Sequence, residues 1–278
     1  MARELDILVV GNCCHDTLIG KDGREHRVLG GSAAYISAVL EVLGARFRTV
    51  SKVGRDFRYP DALSFSPRIE GERSTSFIDD YRGGERCETL EAEGPRIRAN
   101  DLEGSARIAI ACGVAGEVLP ETLRALRARA DLVLADAQGL VRAFGTGGEV
   151  RMQPLANTTF ACDLETIDWL KIGAGELACV DPAALRANLL FTDGPRGSWL
   201  ELAPGQSGAR ERIHVPPFPA EERDATGAGD CFLAGFAFGL SRGLSPERAA
   251  RLGNFCGARA VETVGIPRID AQLDGLLS

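Results

Sequence analysis

Between residues 224 and 240 the chain reads DATGAGDCFLAGFAFGL, a glycine-rich turn running straight into an apolar segment. A helix over 229–242 that is apolar almost all round has to be buried from every side. The turn before it adds a second constraint. A helix N-terminus presents free N–H groups and a partial positive charge. Thr226, Gly227, Ala228 and Gly229 keep large side chains away, so an anion can come close to those groups. Asp230 falls in the first turn, where the dipole and the amides favour its ionised form. A capped helix behind a tight glycine turn would look the same. On its own, the loop leaves an anion cradle and a plain cap equally open.

The rest of the pattern supplies the surroundings. Residues 5–11 form an apolar run ending in glycine and read as a buried strand. Segments 17–20 and 25–29 flank Lys21-Asp22-Gly23, a hairpin signal. Gly30-Gly31-Ser32 opens a helix over 33–43 that stops at Gly44, and 46–53 reads as one strand. Residues 56–71, with Pro60 and Pro67, are irregular. A second, polar hairpin joins 74–80 to 86–93 around Arg82-Gly83-Gly84. Strands then alternate with helices. Strands fall at 107–111, 132–135, 169–172 and 189–192, with an edge hairpin of 199–202 and 210–215. Helices fall at 120–129, near Leu140, at 229–242 and at 246–263. This alternation predicts a mostly parallel α/β sheet with helices on both faces. Residues 1–278 read as one domain carrying a small β lid, its strands drawn from about 17–29 and 74–93. In such folds ligands sit at the carboxyl ends of the strands.

Composition narrows the partners. A net charge of −7 argues against a nucleic-acid duplex or an anionic membrane as a general partner. No apolar run reaches the roughly 20 residues of a membrane span, and the first residues do not read as a signal peptide, so a cytoplasmic enzyme is expected. The eight cysteines contain no CxxC pair and read as reduced, mostly buried thiols. His15, His26 and His214 show no metal-ligand spacing. No G-x-G-x-x-G follows the first strand and no G-x-x-x-x-G-K-[ST] is present, which disfavours a dinucleotide oxidoreductase and a P-loop enzyme.

DATGAGDCFLAGF resembles the C-terminal signature of the ribokinase-like, PfkB-type carbohydrate kinases, Asp-Thr-x-Gly-Ala-Gly-Asp. Ala225 stands where that family has Thr or Pro. The resemblance implies that Asp230 is the catalytic base and that Gly227, Ala228 and Gly229 belong to its anion hole. VGNCCHD matches the end of the family's first strand and implies substrate contacts from Asn12 and Asp16. LGGSAAYIS resembles the N-terminal signature, with Gly30 and Gly31 as the substrate floor. Many relatives carry an Asn just after that pair. Here Ala34, Tyr35 and Ile36 stand nearby, which counts against a ribose or nucleoside acceptor. SKVGRD resembles the family's Val-Gly-x-Asp stretch. FTDGPRGSWL resembles the nucleotide string, which implies contacts from Thr192, Gly194 and Gly197, joined by Thr226, Gly227, Gly229 and Asn254. The Asn-x-x-Glu motif appears as Gly173-Ala174-Gly175-Glu176, leaving Glu176 as the metal candidate. Some relatives place an Arg near the substrate where this chain has Arg142.

VGNCCHDTLI, SKVGRDFRYP, VPPF and GNFCGARAVETVGIP are most similar to the plant-type myo-inositol kinase branch. The resemblance as a whole implies a ribokinase-like three-layer α/β/α fold. It also implies ATP-dependent transfer to a hydroxyl of a small polyol, myo-inositol, with Mg2+ and a monomer or homodimer. Thr263 and Gly265 stand where relatives arrange carbonyls around a monovalent cation such as K+. Two rivals stay open: a sugar or nucleoside kinase of the same family, and a catalytically silent binding or regulatory module. An intact Asp230 and intact glycines speak against the second.

Overall fold

The computed structural model describes residues 5–84, 86–204 and 209–267. The first half of the chain forms β1 (Leu5–Val10), β2 (Cys14–Ile19), β3 (Glu25–Gly30), α1 (Ser32–Val42), β4 (Phe47–Val50), β5 (Lys52–Val53), β6 (Arg68–Ile69), β7 (Thr75–Asp80), β8 (Cys87–Ala92), β9 (Ala106–Ala111) and α2 (Pro120–Arg127). The second half adds β10 (Ala130–Asp136), α3 (Gln138–Val141), β11 (Arg142–Phe144), β12 (Val150–Met152), β13 (Trp169–Ile172), β14 (Asn188–Thr192), β15 (Ser198–Glu201), β16 (Arg212–Val215), α4 (Ala228–Ser241) and α5 (Pro246–Ala260).

Eight strands make the main sheet in the order β16-β15-β14-β13-β10-β9-β1-β4. Pairing is parallel from β4 through β14, and antiparallel only at the β14–β15–β16 edge. β1 shows why both faces must be covered. Ile7 and Val9 enter a core with residues of α1, α4 and α5, whereas Leu8 and Val10 enter another with Leu123 and Leu126 of α2. A strand buried on both faces reads as a continuous apolar run because neither side of the pleat meets water. This is the ribokinase-like arrangement of a sheet between helical layers.

α4 is buried on nearly all sides, as its sequence demands. Small residues let α5 approach it. A Cβ on Gly235 would lie 2.8 Å from Cys256 Sγ, one on Gly239 would lie 2.8 Å from Ala249 Cα, and one on Gly253 would lie 2.8 Å from the Phe232 carbonyl oxygen. Pro246 starts α5, and the Ser245 hydroxyl caps it by accepting from the Arg248 N–H at 3.3 Å. The buried Trp169 of β13 meets Phe236 of α4 edge to face, with ring centroids 4.9 Å apart.

A second sheet stands apart in the order β3-β2-β7-β8. The expected strand over 46–53 is two strands. The chain leaves the main sheet at Ser51, and Lys52–Val53 pairs instead with Arg68–Ile69. That detour is held by the buried Lys52 ammonium, 2.8 Å from Glu70 and 2.7 Å from Asp101. The short β11–β12 hairpin was not anticipated. It meets the edge of the second sheet, where the Leu90 N–H donates to the Gly148 carbonyl at 2.8 Å. All eight thiols are free, and five are buried. Among the described residues no helix is long and apolar enough to cross a membrane.

Candidate active site

The glycine turn before α4 has the geometry its sequence suggests. Gly227 takes a left-handed conformation with φ of 74° and ends the turn at the first residue of the helix. A side chain there would strike the Tyr35 ring, whose Cδ1 lies 2.2 Å from the position a Cβ would take. The Asp224 carboxylate steadies the turn by accepting from the Thr226 N–H at 2.9 Å. Among the described residues, the Gly229 and Asp230 N–H groups have no backbone acceptor, whereas the Ala228 N–H points back to the Ala225 carbonyl at 3.3 Å. Open donors at a helix N-terminus favour an anion.

Asp230 opens onto this turn, and its Oδ1 is buried with no hydrogen-bond partner. Its carboxyl is raised to about 6, first by burial and then by the nearby Asp136, against the pull of Lys171, Ser32 and Arg142. Lys171 is the main addition to the site. It sits in the middle of β13, fully enclosed, with Nζ 3.0 Å from Asp136 Oδ2. Nζ also lies 2.8 Å from where a Cβ on Gly229 would be, so the ammonium lies against the glycine turn. Burial and the opposite charges of Asp136, Asp230 and Glu176 compete at this amine, and the net effect holds it above the ordinary lysine range. The signal was present in the sequence: a lone lysine inside the apolar run Trp-Leu-Lys-Ile of a central strand has to be paired to be tolerated.

The acceptor-side residues gather between the second sheet and α1. Asp16, on β2, is 9% exposed with Oδ1 unpartnered. Its carboxyl is raised to about 7, by burial first and then by Asp79, with Arg86 opposing. Arg86 forms a two-pronged pair with Asp79, at 2.9 Å on both arms. Arg142, at the start of β11, donates to Glu88 at 2.9 Å and to the Val114 carbonyl at 3.3 Å, and stands over the Phe77 ring. Its Nε is buried without a partner, as is the Tyr35 hydroxyl.

Gly30 and Gly31 are glycines because the protein itself fills the space. A Cβ on Gly30 would sit 1.7 Å from Asp16 Oδ2, and one on Gly31, at φ of 90°, would sit 2.5 Å from the Asn12 carbonyl oxygen. They make room for the Asp16 carboxylate and for the backbone beneath it. Asn12 is held by the scaffold: its amide donates to the Pro95 carbonyl at 2.8 Å and accepts from the Lys52 N–H at 2.8 Å.

On the other side of the glycine turn lies a cavity of about 600 Å³. Thr192, Gly194, Gly197 and Asn254 line it, together with Phe218 and Phe232, which the sequence analysis did not single out, whereas Thr226 and Gly227 are not part of its lining. Ala228 and Gly229 also belong to its wall, so the cavity abuts the anion turn. Asn254 shapes this wall through its own bonds. Its Nδ2 donates to the Val215 and Pro216 carbonyls, each at 2.9 Å, which holds in place the loop carrying Phe218. Glu176 folds back on its own turn, with Oε2 accepting from the Gly173 N–H at 2.6 Å. A side chain at position 173 would collide with that oxygen at 2.6 Å, which accounts for a glycine where the family motif has Asn. Among the described residues no group of three or more acidic, His or Cys side chains is arranged to hold a metal ion.

The profile described as pfkB family carbohydrate kinase matches residues 151–268. An inositol 3-kinase of Oryza sativa subsp. japonica is 39% identical, the alignment covering 97% of this chain and 72% of that protein. The inositol 3-kinase of Arabidopsis thaliana is 33% identical, with coverages of 96% and 77%. Among solved structures, a pyrophosphate-dependent kinase in the ribokinase family, complexed with a pyrophosphate analog and myo-inositol, has a TM-score of 0.75 at 19% identity, covering 94% of this chain and 97% of that one. Aminoimidazole riboside kinase from Salmonella enterica, complexed with its riboside and an ATP analog, has a TM-score of 0.74 at 19% identity, with coverages of 98% and 100%.

Proposed function

This chain belongs to the pfkB carbohydrate kinase family, whose members phosphorylate hydroxyl groups, and we propose that its own reaction is ATP-dependent phosphorylation of myo-inositol. One observation carries the reading. Three buried polar atoms with no partner, Asp16 Oδ1, Tyr35 Oη and Arg142 Nε, lie around the acceptor side, and a fourth, Asp230 Oδ1, lies at the phosphate turn. Buried donors and acceptors are nearly always satisfied in a folded protein. A small ring bearing hydroxyls all round supplies both donors and acceptors. The cations near Asp16, Arg86 and Arg142, are already paired with Asp79 and Glu88, which suits an uncharged acceptor better than a sugar phosphate. The inositol 3-kinase relatives point to the same class.

In this reading Asp230 accepts the proton of the attacking hydroxyl. A carboxyl held near 6 is mostly ionised at neutral pH yet basic enough to take a proton, and such a positioned group contributes roughly 10²–10⁴-fold. The Gly229 and Asp230 amides, with Lys171 beside them, face the negative charge that spreads over the phosphoryl group in transfer. The donor is ATP rather than pyrophosphate. A cavity walled by Phe218, Phe232, Pro217 and Val261 offers a purine an apolar slot that pyrophosphate would leave empty. Magnesium, when bound with ATP, neutralises phosphate charge. It takes few protein ligands beside phosphate and water, so the single carboxylate of Glu176 fits as its protein contact.

The test is product formation from a matrix of donors and acceptors: ATP and pyrophosphate against myo-inositol, scyllo-inositol, ribose, fructose and cytidine. Turnover of myo-inositol with ATP, lost in Asp230→Asn, is the expected result. Turnover of ribose or cytidine with no polyol activity would replace the acceptor. Pyrophosphate as the better donor would replace the nucleotide.

A further inference from the structure

Tyr35 occupies an unusual position for a core residue. Only 2% of it is exposed, and it projects from α1 so that its ring lies against Gly227 of the phosphate turn. Its hydroxyl is buried and bonds to nothing. The phenol stands in the field of Asp16 on the acceptor side and of Asp224 and Asp230 at the turn. It therefore feels both the residue suited to grip the acceptor and the residue suited to deprotonate it. Packing alone does not explain it. A Phe would fill the same space and press on the same glycine without leaving a polar atom unsatisfied, and an unmade buried hydrogen bond is expensive.

We infer that Tyr35 is the residue that selects the acceptor's stereochemistry, its hydroxyl bonding one ring hydroxyl next to the one that receives phosphate. The inference rests on the polyol reading given above. Inositol isomers differ only in which face of the ring each hydroxyl occupies, so telling them apart requires a polar atom fixed in space. Asp16 and Arg142 sit on the strand and hairpin of the acceptor side. Tyr35 sits on α1 with its ring against Gly227, so its hydroxyl is located relative to the phosphate turn itself. A hydroxyl in register with Tyr35 brings its neighbour into line with Asp230. One on the wrong face leaves the phenol unpaired and the ring misplaced. A site built to hydrogen-bond a hydroxyl rejects an analogue lacking it far more strongly than an apolar pocket can.

Tyr35→Phe separates this role from a structural one, because the two predict opposite signs. Without ligand, the variant loses an unsatisfied hydroxyl and should melt higher than wild type by roughly 2–4 °C. With acceptor, kcat/KM for myo-inositol should fall about tenfold or more, the KM for ATP should stay the same, and the preference for myo-inositol over its isomers should shrink. A variant that melts lower than wild type, or one with unchanged acceptor kinetics and unchanged isomer preference, overturns the inference. A wild type that turns over a sugar and no polyol refutes the polyol reading separately. The Tyr35→Phe comparison is then made on that sugar and its epimers, with the same two outcomes.

Discussion

Replacing Asp230 by Asn should make the protein more stable while removing its activity. The carboxyl rises from an ordinary 3.8 to about 6 on folding, because burial and Asp136 oppose its charge more than Lys171, Ser32 and Arg142 support it. Each tenfold change in that equilibrium is about 1.4 kcal/mol, so carrying the charge costs the folded state about 3 kcal/mol at high pH. Below pH 3.8 the group is protonated in both states and costs nothing. Between 3.8 and 6 the folded protein holds a proton that the unfolded chain has released, so this group's contribution to stability falls as pH rises. Above 6 the full cost applies. Asn has nearly the same shape and no charge at any pH. Urea denaturation should therefore find Asp230→Asn more stable by about 3 kcal/mol at pH 8 and by about half that at pH 5. Turnover should be lost at both. An Asn variant that is equally stable or less stable at pH 8, or whose advantage does not grow between pH 5 and pH 8, would refute the claim that this carboxylate is held against its own preference.

Lys171→Met leaves Asp136 buried without its cation and should destabilise the protein by about 3–5 kcal/mol. Adding Asp136→Asn should recover most of that stability but none of the turnover, as read by denaturant midpoints beside a kinase assay. Asn254→Ala releases the Val215 and Pro216 carbonyls that hold the Phe218 loop. The KM for ATP should rise about tenfold for a loss of about 1–2 kcal/mol, with the KM for the acceptor unchanged in a two-substrate kinetic series.

The layered architecture was readable because its signals are local and strong. β1, β13 and β14 are apolar runs of strand length, and α4 and α5 carry their stop, start and burial cues within themselves. The glycine turn before α4 was readable for the same reason: left-handed glycine before a helix is a backbone requirement written in one residue type. Readings were incomplete where a residue's neighbours come from distant segments. The scaffold partners of Asn12, Pro95 and Lys52, lie 83 and 40 positions away. The glycine pair Gly30-Gly31 was read as a substrate floor, and the structure adds that the Asp16 carboxylate and the Asn12 backbone press against it. Lys171 passed unnoticed because its partner, Asp136, comes from another strand. The β11–β12 hairpin has too few residues for alternation to register, and its pairing with the second sheet is set by tertiary contact.

The seam of small residues between α4 and α5 carries a consequence for how variation in this chain would be tolerated. The glycine turn before α4 is aimed by the helix behind it, and that helix is seated by Gly235, Gly239 and Gly253 pressed against their neighbours. A methyl group added at any of the three pushes α4 away from α5, and the displacement reaches the turn at its far end. Misplacement of about 1 Å at a reacting centre can cost a hundredfold in rate. A library of random substitutions selected for activity would therefore be depleted along this seam as well as at the ligand pockets, and many inactive clones would carry changes that touch no ligand.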